Sequence, residues 1–305
     1  MVNKERDGAV ETPARARLGR RTFLSQAGIA GLGAAAVTLA IGGTQKALAE
    51  HEAAAERTEE AEQAKDTVKE IFTAALIAED LATTFYYNGL IGPVIQDPNL
   101  AGPGGTATDV TSAGNLGNVN YVQAALSEEI AHANLFRSLL DITEASADPV
   151  QTFYFPAGSF TKLGAFTGLL NALENAFIGA YLNAIQEFAV KSAAARNSGG
   201  YWCDRDGSRY TAEQLDYFAK VAASIMGIEA EHRVLGRVIS NTNPANNLAY
   251  EQNDGLNAVY NGPNSAVAAL TPFLTSSTGP GYMLWTALEN QSKVSLSVTG
   301  GPPAF

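Results

Sequence analysis

The 305-residue chain has one cysteine, three histidines, two tryptophans and three methionines. A single cysteine excludes an internal disulfide framework and any CxxC zinc or redox pair. Positive charge is scarce as well: 20 Lys plus Arg stand against 31 Asp plus Glu, a formal charge of −11. Nucleic-acid binders need a basic face to displace counterions from phosphate, so that class of partner is excluded. Charged residues make up 17% of the chain and apolar ones 46%, which excludes a disordered acidic tail and leaves material for a sizeable core. Beyond the first fifty residues no apolar run approaches membrane-spanning length. With histidine so rare, where the three fall carries most of the chemical information.

The N-terminal segment reads as an address. Arg15 and Arg17 precede Gly19-Arg20-Arg21-Thr22-Phe23-Leu24, and a mild Gly- and Ala-rich apolar run extends from Ala27 to Gly43. Ala47-Leu48-Ala49 then offers a small-x-small cleavage pattern before Glu50. Together these features make residues 1–49 a bacterial twin-arginine (Tat) export signal, implying the Tat machinery as a partner and a periplasmic or extracellular destination. An uncleaved anchor fits less well, because glycines interrupt a run of only about 17 residues. The Tat route carries folded proteins, which suits a cofactor loaded before export. Cleavage after Ala49 removes seven of the 20 basic and three of the 31 acidic residues, leaving 13 against 28, or −15.

The rest divides into a bundle over 50–240 and a tail over 241–305. His51 to Asn88 reads as one long helix, polar at first and then apolar at helical spacing through Ile71, Phe72, Ala75, Leu76 and Ala82. A Gly/Pro/Asn-rich loop covers 89–118, and a second helix runs from Val119 to Ile142. Residues 143–158, with Pro149 and Pro156, are expected to be extended. A third helix spans Phe160 to Arg196, a loop 197–210, and a fourth helix opens at Thr211, where Thr211 and Gln214 form a capping-box pattern, and lasts to Ser240. The tail is rich in Asn, Pro, Gly and Ser, with short helices expected near 264–274 and 281–291. No alternating strand series appears, so the class is all-α. The link between helices two and three could reach about 50 Å when extended, longer than the roughly 30 Å of a twenty-residue helix, and so permits a four-helix bundle with one long crossover.

Two of the three histidines sit in Glu-x-x-His: Glu129-Ile130-Ala131-His132 on helix two and Glu229-Ala230-Glu231-His232 on helix four. At i, i+3 both side chains lie on one helix face one turn apart, so both can reach one metal. The surroundings match at an offset of 100, with Leu135 and Arg137 corresponding to Leu235 and Arg237. Helices one and three should then each supply a carboxylate. Glu79 and Glu174 lie in apolar stretches, each followed seven residues later by a tyrosine, Tyr86 and Tyr181. Antiparallel packing brings Glu79 level with Glu129, and Glu174 level with Glu229, to within roughly one turn. Glu187, expected near Lys220, is set aside as a ligand. Four carboxylates and two imidazoles in one core make poor sense without metal, since unpaired buried charges are costly. Two divalent cations balance the carboxylates, and the O/N donor set suits iron or manganese.

The order Glu, Glu-x-x-His, Glu, Glu-x-x-His on four helices resembles the ferritin-like dinuclear carboxylate superfamily. Asn246-Asn247-Leu248-Ala249-Tyr250 and Ala268–Leu274 are similar to the tail of its exported bacterial branch, related to desiccation-associated proteins and more distantly to manganese catalases. The resemblance implies a ferritin-like bundle in which Glu79, Glu129, His132, Glu174, Glu229 and His232 hold two Fe or Mn ions. It implies redox chemistry on a small oxidant (peroxide or dioxygen) or on Fe(II), catalase-like or ferroxidase-like, in a stress role. The alternative is a non-enzymatic stress or desiccation-related envelope protein with structural metals. Storage in a cage fits poorly with the long tail and added loops. Tyr86 and Tyr181 are core aromatics placed to hydrogen-bond a ligand, with a redox role open. Glu128 and Glu231 are solvated or lie just behind the ligands, His51 is solvated, and Cys203 is a tolerated or structural thiol rather than an intermolecular disulfide. The acidic stretch Glu50–Glu70 is a solvated face, or the contact of a homo-oligomer.

Overall fold

The computed structural model describes residues 66–242, 244–246, 255–257 and 266–295. The export signal, the first part of the long first helix with His51, and the Asn247–Tyr250 segment of the tail lie outside the described residues. Four long helices make the frame: α1 (Val68–Ile91), α2 (Leu116–Leu139), α3 (Leu163–Asn197) and α4 (Ala212–Ile239). Short elements join or cover them: β1 (Thr152–Tyr154), β2 (Tyr201–Cys203), β3 (Arg209–Thr211), α5 (Ala266–Leu270), β4 (Gly281–Met283) and α6 (Leu284–Asn290). Among the described residues the fold is all-α with two small antiparallel strand pairs, β1 with β4 and β2 with β3.

Helix ends follow local chemistry more closely than periodicity alone indicates. The expected helix from His51 does not run unbroken into α1, because Thr67 sits in extended backbone and caps a new start. Its hydroxyl accepts from the Glu70 N–H at 3.1 Å, and its own N–H donates to the Glu70 carboxylate at 2.8 Å. The Val68 N–H donates to Asp204 Oδ2 at 2.8 Å, so a residue far along the chain completes that start. At the other end Gly92 and Pro93 stop α1 three residues later than expected. Helix α2 begins earlier than expected, since Asn115 accepts from the Asn118 N–H at 3.1 Å. The Thr211–Gln214 capping box that opens α4 is present in both directions.

The loops hold more order than an extended reading allowed. Between α2 and α3 lie a 3-10 turn at Ala145–Ala147 and strand β1, whose Phe153 pairs with Tyr282 of β4. The 197–210 loop is a β2–β3 hairpin in which Cys203 is exposed. Of the two expected tail helices, α5 continues into a 3-10 turn at Thr271–Leu274, while α6 begins only at Leu284 because Gly281–Met283 pairs with β1 as strand β4.

Aromatic packing fixes the helix directions. Phe72, early in α1, lies 5.9 Å from Phe136 late in α2, 5.8 Å from Phe188 late in α3 and 4.9 Å from Phe218 early in α4. Phe85, late in α1, stacks on Phe166 early in α3 at 4.9 Å, with Phe155 and Phe160 of the link against it. Helices α2 and α3 therefore run in the same direction, and the link crosses the bundle from end to end. Gly89 makes the Phe166 contact possible: a Cβ there would come within 2.4 Å of that ring. Along α1 the two aromatic clusters lie on either side of Glu79, which is buried between Phe72 and Phe85. Among the described residues no helix is long and apolar enough to cross a membrane.

Candidate metal centre

Each long helix delivers its share to one point. Glu79 comes from α1, Glu129 and His132 from α2, Glu174 from α3, and Glu229 and His232 from α4. All four carboxylate residues are 2% exposed or less. His132 Nδ1 lies 3.2 Å from Glu79 Oε2, 3.5 Å from Glu229 Oε1 and 3.8 Å from Glu129 Oε2. His232 Nδ1 lies 3.0 Å from Glu129 Oε1 and 3.5 Å from Glu229 Oε2. Two groups emerge. In one, Glu79, Glu129, His132 and Glu229 each offer an atom within 4.8 Å of the others; in the second, Glu129, Glu174, Glu229 and His232 do the same. Glu129 and Glu229 belong to both. The structure thus brings together all six residues singled out by spacing.

The two tyrosines cross between halves. Tyr86 of α1 donates to Glu174 Oε1 of α3 at 2.5 Å, and Tyr181 of α3 donates to Glu79 Oε1 of α1. Seven residues separate each tyrosine from the glutamate of its own helix, and antiparallel packing sets it against the other helix's carboxylate. Tyr86 also stands edge-on to the His232 ring at 5.6 Å. Glu128, 46% exposed at its side chain, lies with Oε2 2.8 Å from His232 Nε2. Glu231 is exposed.

Burial shapes the electrostatics. It pushes the Glu79 and Glu174 carboxyls well above the ordinary range, and the negative charge of Glu229 adds to the shift in both. Burial acts on Glu129 in the same sense, but the two imidazoles close beside it outweigh burial and hold its pKa low. Both imidazoles are pushed well above the usual histidine value: desolvation opposes this, and the surrounding carboxylates overcome it. Burial, reinforced by Glu174 and Glu79 respectively, keeps Tyr86 and Tyr181 as protonated phenols.

The donors supplied by the chain are too few for these oxygens. Both oxygens of Glu129, both of Glu229, Glu174 Oε2 and His232 Nδ1 make no hydrogen bond although buried. Orphaned buried carboxylate oxygens are among the most expensive arrangements in a protein interior. A set of four carboxylates and two imidazole nitrogens, with two carboxylates common to both groups, fits a pair of divalent cations such as iron or manganese.

Sequence reasoning missed a second buried charge cluster beside this one. Arg137 donates to Asp80 Oδ1 at 2.5 Å and, through Nε, to Asp148 Oδ2 at 2.9 Å. Arg137 stood out only as a match in the repeat; the available signal was Asp80 itself, an acid inside the same apolar run as Glu79. Glu187 lies outside the centre, as expected, but its charged neighbours are Asp66, Lys191, Asp204 and Glu70 rather than Lys220. There Lys191 is fully buried, 3.4 Å from Asp204 Oδ1 and 4.8 Å from the Trp202 ring.

Residues 67–197 match the family model described as a ferritin-like domain. That match covers α1 to α3; α4, with Glu229 and His232, follows it in sequence and joins the same site in space. No curated protein and no solved structure matches the chain.

Proposed function

We propose that this ferritin-like domain holds two divalent ions, iron or manganese, between Glu79, Glu129, His132, Glu174, Glu229 and His232. One observation carries the reading: Glu129 and Glu229 belong to both four-residue groups and have no hydrogen-bond donor on any of their four oxygens. A pair of redox-active ions there would supply electrons for reactions of peroxide, dioxygen or Fe(II). The chain's own part is to position and exclude. Glu79 and His132 face one side of the shared carboxylates, Glu174 and His232 the other. Tyr86 and Tyr181 hold their protons against Glu174 Oε1 and Glu79 Oε1, fixing which oxygen of each carboxylate remains available inward. The aromatic clusters around Phe72 and Phe85 keep water from entering along the bundle axis.

The reading extends to an exported protein, catalase-like or ferroxidase-like, in the cell envelope; the twin-arginine segment supports that location. Peroxide-dismutation and Fe(II)-oxidation assays on the iron- and manganese-loaded chain test the chemistry. Turnover by neither form would leave a structural role. That second reading has its own support in the near-complete burial of all four carboxylates, since a structural site is closed and a catalytic one keeps an open position. Export is tested by Arg20→Lys with Arg21→Lys, which should hold the uncleaved precursor inside the cell.

A further inference from the structure

The ligands repeat with near-symmetry along the chain. Glu129 and His132 recur 100 residues later as Glu229 and His232; Glu79 and Tyr86 recur 95 residues later as Glu174 and Tyr181. One layer out, the repeat fails. Position 128 is glutamate, and its counterpart at 228 is isoleucine.

The consequence is visible at the two imidazoles. Both turn Nδ1 toward the shared carboxylates, leaving Nε2 as the outward nitrogen. His232 Nε2 meets Glu128 Oε2 at 2.8 Å, a contact that crosses from α2 to α4. The reciprocal contact, from position 228 on α4 back to His132 on α2, has no acceptor because isoleucine offers none. Among the described residues nothing hydrogen-bonds His132 Nε2. The two side chains also differ in access: 13% exposed for His132, 4% for His232. A carboxylate on the outer nitrogen of a metal-binding histidine fixes the tautomer, orients the ring and makes the inner nitrogen a stronger donor.

Resting on the metal reading above, we propose that the two halves of the centre hold their ions unequally, with Glu128 the positioning residue that makes the difference. The Glu174–His232 half retains its ion; the Glu79–His132 half is the exchangeable one, open toward solvent through His132. Partners behind a ligand typically change metal affinity by about 10–100-fold, which sets the scale of the difference.

The test titrates the metal-free full chain with Co(II), following visible absorption and heat together. The native chain should bind two ions in steps at least about tenfold apart. Glu128→Ala should weaken the tighter step about 10–100-fold and spare the weaker one, while Glu128→Gln, which keeps an acceptor oxygen, restores most of the loss. Ile228→Glu should tighten the weaker step and draw the two together, a gain that misfolding cannot produce. Two equal steps in the native chain would overturn the inference while leaving the metal centre standing. So would Glu128→Ala leaving both steps in place while Glu129→Ala abolishes binding. A native chain that binds no Co(II) would overturn this inference together with the reading beneath it.

Discussion

Glu79 and Asp80 are neighbours on α1, both are buried, and their charges are met in different ways. Asp80 turns to Arg137, which also serves Asp148. One guanidinium for two carboxylates is not full compensation: burial holds Asp80 well above the usual range, and the charge of Asp148 adds to it. Even so, the cation comes from the chain itself. Glu79 turns the other way, into a cluster of four carboxylates whose nearest positive groups are two imidazoles. No Lys or Arg approaches the six residues within ion-pair distance among the described residues. A chain able to place an arginine one residue away offers only carboxylate oxygen and imidazole nitrogen here, a donor set compatible with metal ions. The third charged cluster, at Lys191 and Asp204, follows the Asp80 pattern.

Substitutions sharpen this contrast, beginning with the largest expected effect. Arg137→Ala leaves two buried carboxylates without their cation and should cost about 3–5 kcal/mol in urea unfolding of the metal-free protein. A loss under about 1 kcal/mol would mean that protonation, not the guanidinium, carries Asp80 and Asp148. At the centre the dependence is on added metal. Mn(II) at a hundred times a site's dissociation constant should stabilise the native chain by about 2.7 kcal/mol for that site, and Glu129→Ala, at a residue that serves both ions, should abolish the gain. Thermal melts with Mn(II) and with chelator would show it.

Glu187 gives a third comparison, a partly buried carboxyl pushed up to about 8, first by burial and then by Asp66. The native state then binds a proton that the unfolded chain releases near 4.5, so this group's contribution to stability is fully present below that pH and is lost as pH rises toward 8. Glu187→Gln should flatten that fall, on the order of 1–3 kcal/mol, in melting temperatures compared at pH 5 and pH 8. The smallest effect concerns a helix end: Thr211→Ala removes the α4 cap and should cost about 1 kcal/mol without changing metal uptake.

Much of this was legible in the sequence because helical spacing is a strict geometric rule. The i, i+3 offset places Glu129 with His132 and Glu229 with His232, and a carboxylate in an apolar stretch picked out Glu79 and Glu174. What stayed hidden depends on partners distant along the chain. The start of α1 was legible in the local Thr67-x-x-Glu70 capping box; only the extra bond from the Val68 N–H to Asp204, more than 130 residues away, was not. Strand β1 exists only because β4 reaches it from the tail. Asp148 could not be tied to Arg137 from spacing, since the connecting residues have no helical period. The Glu128–His232 contact crosses between helices, so the spacing that set Glu129 inward and Glu128 behind it could not name His232 as the partner of Glu128.

The central claim is that the chain buries four carboxylates in order to hold external cations. Elemental analysis of the purified native chain and of the Glu129→Ala, His232→Ala double variant tests it most directly. The account predicts two iron or manganese ions per native chain and loss of both in the variant. Fewer than about one ion per chain, unchanged by the two substitutions, would contradict it.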